Sequence, residues 1–241
     1  MTSEIKKLKT IIETSDNIVF FGGAGVSTES GIPDFRSADG LYNEAYKYPP
    51  EKMLSRSFFM EHTEEFYKFY KEKMLYPDAK PNKAHIALAE LEKKGKLKAV
   101  ITQNVDGLHT KAGSVNVLEL HGSALRNICL NCKKCYPVEK IIQSEGIPFC
   151  NCGGIIKPDV VLYEESLNAD IMLGAANAIY AAEVLIVGGT SLNVYPAAGM
   201  ITGYRGKKLV LINKTETAYD RRAALIIRES IAEALDMSVR G

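Results

Sequence analysis

At 241 residues, with 46% hydrophobic and 24% charged side chains, the chain can bury one large core and carry a small appended module, and it is neither disordered nor fibrous. Lys and Arg number 30 against 29 Asp and Glu, interspersed, so the formal charge of +1 gives no basic field and no nucleic-acid partner is expected. The opening MTSEIKKLKTIIETSDN is mixed and amphipathic, and no stretch approaches the ~20 apolar residues of a membrane span, so the expectation is a cytoplasmic protein with no membrane partner. No internal repeat, long heptad pattern or exposed apolar strand stands out, and a monomer is expected.

In chain order, helical spacing covers Ile5 to Thr14, and a β-branched apolar run, Ile18 to Phe21, reads as the first strand. Helices are expected around Phe58 to Leu75 and at Ala84 to Lys93, then strands at Ala99 to Thr102 and Val117 to Leu120. A helix at Ala169 to Ala181, a strand at Val184 to Val187, a helix at Pro196 to Gly203 and a strand at Leu209 to Ile212 follow, with a weaker run at Leu225 to Ile227. Continuous apolar runs suit strands buried on both faces, and strands alternating with helices predict a doubly wound, Rossmann-like parallel sheet of α/β class. Two segments interrupt the alternation. The expected division is a large domain from residues 1–35, 82–121 and 159–241, with a smaller lobe made of 36–81 and a cysteine-bearing ribbon at 122–158.

The first strand runs into Gly22-Gly23-Ala24-Gly25-Val26-Ser27, a turn whose backbone N–H groups could approach a pyrophosphate. The usual dinucleotide fingerprint would have a third glycine where Thr28 stands, so this turn alone is a weak signal. A second strand-to-glycine turn, Val187-Gly188-Gly189-Thr190-Ser191, offers hydroxyls to a ribose or phosphate. Ligands of open α/β sheets gather beyond the carboxyl ends of strands, so both turns, with Asn213 after another strand, could face one crevice.

Cys129-x2-Cys132 and Cys150-x-Cys152 are two close pairs separated by 17 residues rich in Asn, Lys, Gly and Pro. Four thiolates so spaced can close a tetrahedral site for one structural Zn2+, with no open position for catalysis. In a reducing compartment such pairs are metal ligands more often than disulfides. Cys132-x2-Cys135 is also a permitted pair; the outer set with Cys129 is preferred, leaving Cys135 spare.

Longer strings carry more. Gly23-Ala24-Gly25-Val26-Ser27 continues to Ser30-Gly31-Ile32-Pro33-Asp34-Phe35-Arg36; then come Thr102-Gln103-Asn104-Val105-Asp106-Gly107-Leu108-His109, Leu120-His121-Gly122, the cysteine pairs and Gly189-Thr190-Ser191-Leu192. In this order and spacing they resemble the sirtuins, NAD-dependent protein lysine deacylases, over about Asn17 to Ile231. The resemblance implies NAD bound between a Rossmann-like domain and a zinc-ribbon lobe, and an acetylated lysine peptide or protein as partner. It implies that His121 is the catalytic base toward a ribose hydroxyl, that Asn104 positions the ribose and a water, and that Asp106 binds the nicotinamide carboxamide. It also places Gly23, Ala24, Gly25, Thr28, Phe35, Arg36, Gln103, Val105, Gly189, Thr190, Ser191 and Asn213 against NAD. Ile231 joins them only by its order along the chain. Histidine suits the role because its neutral imidazole is available near neutral pH.

Lys157 to Glu165 resembles the family's substrate loop, with Val160 and Val161 lining the acyl-lysine tunnel and the backbone near Tyr163 pairing with the peptide. Glu164 departs from the pattern, standing where glycine is frequent, and with Glu165 it would favour basic residues beside the target lysine. Family members that remove succinyl groups carry a Tyr and an Arg three residues apart. The matching Phe66-Tyr67-Lys68-Phe69-Tyr70 has no such arginine, although Lys68 or Lys71 could substitute. Deacetylation, giving nicotinamide, O-acetyl-ADP-ribose and free lysine, is the expected reaction. The alternatives are protein ADP-ribosyl transfer from the same NAD site and a non-catalytic binding module; retention of both Asn104 and His121 argues against the latter.

Overall fold

The six apolar runs build one parallel sheet. In the computed structural model, which describes all residues except 36–39, 41–46 and 194, β1 (Ile18–Gly22) and β2 (Leu97–Thr102) lie side by side, with β3 (Val117–Glu119) outside β2. β4 (Gly122–Cys129), β5 (Cys135–Pro137) and β6 (Ile156–Val160) form a separate antiparallel sheet with β4 in the middle. β7 (Val184–Gly188) returns to the free side of β1, followed outward by β8 (Lys208–Ile212) and β9 (Leu225–Ile227). The large sheet therefore reads β3-β2-β1-β7-β8-β9 and reverses direction between β1 and β7, the place where doubly wound sheets bind ligands.

Every residue of β1 and β7 is buried, because helices cover both faces. Alternation sends Phe20, Val100, Ile186 and Val210 to one face, against Ile5, Leu8 and Ile12 of α1 (Ser3–Glu13) and neighbouring helices. Phe21, Ile101, Leu185 and Leu211 go to the other, against Ala175 and Ile179 of a later helix, Ala169–Ala181. The segment read as a helix from Pro196 forms a 3-10 turn, Ala197–Gly203, with Gly199 and Gly203 inside it. A C-terminal helix, Ile231–Val239, was missing from the sequence expectation although its signal is local: Ser230 caps it by accepting from Glu233 N–H, in a Ser-x-x-Glu string.

Against the small sheet, α2 (Pro50–Met53), α3 (Arg56–Glu61) and α4 (Thr63–Lys73) form an aromatic cluster in which Phe59 and Phe66 meet edge to face at 4.9 Å and Phe66 stacks on Tyr70 at 5.5 Å. The ribbon has little apolar interior of its own, and its Ile141 and Ile156 pack into this cluster. Tyr67 donates its hydroxyl to the Ile156 carbonyl, and Lys71 Nζ donates to the carbonyls of Ser144 (2.6 Å) and Gly146 (2.9 Å), so α4 holds the ribbon by polar bonds as well. Helices α5 (Lys83–Lys93) and α6 (Leu108–Lys111) belong to the large sheet's side, and α7 (Glu139–Ile142) to the ribbon. β6 crosses the expected return point between 158 and 159 by two residues, because Asp159 and Val160 still pair with Ser123 and Gly122.

No helix among the described residues is long and apolar enough to cross a membrane. The passage from β3 to β4 is tight: Gly122 has φ +75°, and a Cβ there would stand 2.0 Å from the Asp159 carbonyl oxygen. Gly122→Ala combines left-handed strain with a backbone collision, so it should destabilise the fold by at least about 2 kcal/mol. Urea unfolding measures this; a loss below half that value would show that β6 can move aside.

Candidate active site

The two glycine turns interlock. Gly25 N–H donates to Gly189 C=O at 2.8 Å, a Cβ on Gly25 would lie 2.8 Å from Gly189 Cα, and a Cβ on Gly189, at φ +60°, would lie 2.4 Å from Val26 N. Only glycine at both positions lets the ends of β1 and β7 approach this closely. They open a cleft of about 1190 Å³ between the two sheets. Gly23, Ala24, Gly25, Thr28, Phe35, Gln103, Asn104, Val105, Asp106, His121, Val160, Val161, Tyr163, Gly189, Thr190, Ser191, Asn213 and Ile231 all line it. Arg36 lies outside the described residues. The first turn is held from behind by Asn82, whose amide donates to Val26 C=O at 2.8 Å and Ser30 Oγ at 3.0 Å while its carbonyl caps α5.

At the end of β2 the polar side chains are already organised. Asn104 Nδ2 donates to Ser27 Oγ at 3.1 Å, Ser27 Oγ donates to Asp106 Oδ2 at 2.7 Å, and Asp106 Oδ1 accepts from Leu108 N–H at 2.9 Å. Gln103 Nε2 donates to Thr190 Oγ1 at 3.1 Å, tying β2's loop to the second glycine turn. Ser27, the centre of this chain of bonds, had no role in the sequence reading. Its place inside the glycine string was its only sequence signal.

His121 follows β3. Its Nδ1 is 2.9 Å from the Gln103 carbonyl, which can only accept, so Nδ1 carries the proton and Nε2 keeps the lone pair. Burial pushes this imidazole below its usual pKa, partly offset by the bond to Gln103. Near neutral pH the ring is therefore a neutral base.

The segment from Leu162 to Glu165 is bolted to the start of α3. Tyr163 N–H donates to Leu54 C=O and Tyr163 C=O accepts from Arg56 N–H, both at 3.0 Å, so Tyr163's own backbone bonds are taken. Glu164 has φ +73°, the conformation that favours glycine, and its carboxylate accepts from Ser57 N–H and Oγ at 2.9 Å each at the start of α3. Glu165 accepts from Lys157 at 3.0 Å and from Leu162 N–H at 2.9 Å, and pairs with Arg56 at 3.5 Å. Both carboxylates thus have partners inside the chain, which weakens the case for a basic flank in the substrate. The aromatic stretch Phe66 to Tyr70, expected as the acyl wall, does not line the cleft, because those rings fill the small lobe's interior. Leu54, Met74, Leu75, Val138 and Ile142 line the cleft from the small lobe instead, with Lys73 beside them paired to Glu72. Lys71 is committed to the ribbon carbonyls.

Residues 23–196 match the Sir2 family. The chain belongs to the Sir2 family. It is 60% identical to an NAD-dependent protein deacetylase of Clostridium perfringens (strain 13 / Type A) over 239 residues, covering 98% of each. It is 61% identical to a protein of the same name from Clostridium tetani (strain Massachusetts / E88), covering 95% of each. Among solved structures, Sir2 with a p53 peptide and NAD+ superposes with TM-score 0.84 at 41% identity, over 98% of this chain and 96% of that one.

In this Sir2 chain the ribbon's thiols converge. The sulfurs of Cys129, Cys132, Cys150 and Cys152 all lie within 4.8 Å of one another, with Cys129 to Cys152 at 3.5 Å and Cys132 to Cys150 at 3.6 Å. These separations are too long for disulfides, and they suit the edges of a tetrahedron with Zn–S bonds of about 2.3 Å. Cys152 N–H and the Tyr136 hydroxyl, 2.9 Å from the sulfur, hold the Cys150 thiol below its usual pKa, as a ligand thiolate requires. Cys135 is exposed on β5, outside the cluster, which decides the pairing that spacing left open.

Two outcomes follow. Purified protein should carry one zinc per chain by elemental analysis; Cys135→Ser should keep it and Cys152→Ser should lose it. Zinc lost from Cys135→Ser would overturn the ligand set. Separately, burial holds His85 at about 4 and His109 at about 3, and lowers His121, whereas in the unfolded chain each titrates near ~6.5. The unfolded state then binds more protons as pH falls below ~6.5, so stability should drop from there toward pH 4 by about 1 kcal/mol per unit for each of His85 and His109, with His121 adding in the same direction. Urea midpoints at pH 7.5, 6 and 5 read the slope, and a flat profile would contradict it.

Proposed function

We propose that this chain is an NAD-dependent protein lysine deacetylase that converts an acetylated lysine to free lysine with release of nicotinamide and O-acetyl-ADP-ribose. The observation that carries the reading is His121, neutral and with a lone pair at Nε2, in one cleft with the Asn104–Ser27–Asp106 bonds and the interlocked glycine turns. The Sir2 relatives, named as NAD-dependent protein deacetylases, supply the reaction class.

NAD, when bound, supplies the ribose carbon that accepts the acyl oxygen as nicotinamide leaves. The chain's own residues bind, orient and move protons. Gly23, Ala24, Gly25 and Thr28 face the phosphates with backbone N–H groups and a hydroxyl; Gly189, Thr190 and Ser191 face the adenosine half, with Asn213 and Ile231 at its far end. Asn104 and Asp106, preset by Ser27, orient the nicotinamide ribose and the carboxamide, and Gln103 and Val105 form the floor beside them. Phe35 covers the reacting sugar, and the sirtuin-like Asp34-Phe35-Arg36 string supports a phosphate-binding role for Arg36. His121 Nε2 takes the proton of a ribose hydroxyl, and the Gln103 carbonyl stabilises the imidazolium that results. Val160 and Val161 exclude water along the acyl-lysine path, which matters for a cationic, sugar-centred transition state. Tyr163 borders the peptide through its side chain.

The four cysteines would hold zinc as a structural brace for the ribbon, with all four positions taken by sulfur. Its thiol ligands suit a reducing compartment, which supports a cytoplasmic location. Among the described residues the cleft, with Leu54, Met74, Val138 and Ile142 on its small-lobe side, is lined by no arginine to pair a carboxylate, which favours acetyl over succinyl.

Nicotinamide release should depend on an acetyl-lysine peptide, fall by about 10²-fold or more in His121→Ala, as loss of a general base does, and drop severely with the succinylated peptide. Release without peptide, with label transferred to protein, would instead establish ADP-ribosyl transfer. No release from folded, zinc-replete protein would sink both enzymatic readings.

A further inference from the structure

The passage that carries His121 out of the large sheet is clamped from outside the cleft. Glu119 ends β3, His121 comes two residues later, and Gly122 opens β4 in a left-handed conformation with no side chain to stiffen it. Arg126 pairs with Pro137 of β5 and stands in the stretch of β4 between Ser123 and Asn127 where the register with β6 shifts. Its Nη1 donates to Glu119 Oε2 at 2.7 Å and its Nε donates to Asp159 Oδ2 at 3.0 Å. One planar fork thus grips the last residue of the large sheet's edge strand and the residue just before Val160. His121 lies two residues beyond the first grip and Val160–Val161 directly beyond the second, and the two are joined by Val161 N–H donating to His121 C=O at 3.0 Å.

We propose that Arg126 is a positioning residue, holding His121 in register with the Val160–Val161 segment through its bonds to Glu119 and Asp159. This rests on the deacetylase reading of the site. Arg126 does not line the cleft, so it acts through the passage and touches neither peptide nor NAD. Its side chain is 53% exposed and Glu119 is 12% exposed. Exposed ion pairs add little to stability, so the clamp's effect belongs to geometry. Without the guanidinium, two carboxylates converge with no cation between them, and the passage opens toward solvent. A lysine cannot reproduce the fork, since one ammonium replaces two N–H groups fixed in a plane.

The test compares zinc-loaded wild-type, Arg126→Met, Arg126→Lys and Asp159→Asn proteins. Wild-type turnover on an acetyl-lysine peptide tests the deacetylase reading by itself. Given that turnover, Arg126→Met should lower kcat/KM for the peptide by about tenfold, within the range that misplacement by ~1 Å produces. The KM for NAD should stay within about twofold, because the glycine turns lie on the other side of the cleft. Arg126→Lys and Asp159→Asn should fall between, and raising salt should erode the wild-type advantage while leaving Arg126→Met unchanged. Amide exchange at Val161, read without any turnover, should quicken about tenfold in Arg126→Met as its bond to His121 opens. Unchanged Val161 exchange, or wild-type peptide kinetics in Arg126→Met, would overturn the proposal. So would parallel losses in peptide and NAD parameters with a lowered melting temperature and zinc content, which would make the residue merely structural.

Discussion

The backbone contact between the Gly23–Gly25 turn and Gly189 is the constraint on which the cleft depends. β1 and β7 are neighbours in the sheet, and the connections leaving them diverge to opposite sides, which would leave a gap at their carboxyl ends. Gly25 and Gly189 close the lower part of that gap by main-chain contact, with the Gly25 N–H bonded to the Gly189 carbonyl. Any side chain at either position would wedge the turns apart. Thr190 and Ser27, which follow these glycines, are then carried to the positions from which they order Gln103, Asn104 and Asp106. The polar constellation is a consequence of two strands meeting without Cβ atoms between them.

The arrangement of protons follows from burial. A chain of bonds running from Asn104 through Ser27 to Asp106 leaves each donor one defined acceptor, which costs little once the main chain has placed them and resists reorientation when a ligand enters. His121 obeys the same logic from the other side of the cleft: a main-chain carbonyl fixes its tautomer, and desolvation keeps it neutral. Behind Asp106, His85 and His109 stack tilted at 4.6 Å, buried and kept uncharged by desolvation. The large domain thus stores its titratable groups in neutral form close to the site, and acid is the condition that disturbs them.

The small lobe is assembled differently. Its sheet has only three strands, and its apolar residues are satisfied by the aromatic rings of α3 and α4 and by the cysteine cluster. The Tyr163–Glu164 stretch hangs from this lobe by main-chain bonds to Leu54 and Arg56 and by the carboxylate of Glu164 on Ser57. Glu164 holds a left-handed conformation that costs a non-glycine residue about 1–2 kcal/mol, and its two charge-assisted bonds offset that cost. Loop position is therefore coupled to the start of α3, far along the chain from the ribbon.

Apolar runs at Ile18, Ala99, Val184 and Leu209 determined the parallel sheet by themselves, because strands covered on both faces need continuous hydrophobic sequence. The glycine strings, Asn104-Val105-Asp106, Leu120-His121-Gly122 and the cysteine pairs likewise announced the cleft and the metal site, since each needs particular residue types at short spacing. The helix Ile231–Val239 is likewise legible in the Ser230-x-x-Glu233 string that caps it. What only tertiary structure decided were matters of distance between remote segments. Cys129 took the fourth place and Cys135 was left on the surface; Phe66 to Tyr70 turned inward and left the cleft lining to Leu54, Met74 and Ile142; Glu164 and Glu165 found partners on α3 and β6. Local pattern fixes which residues can form a strand, a turn or a ligand pair. Which face a helix turns to a cleft, and which of two possible thiols reaches a metal, depends on packing between segments far apart in the chain, and no local spacing encodes that.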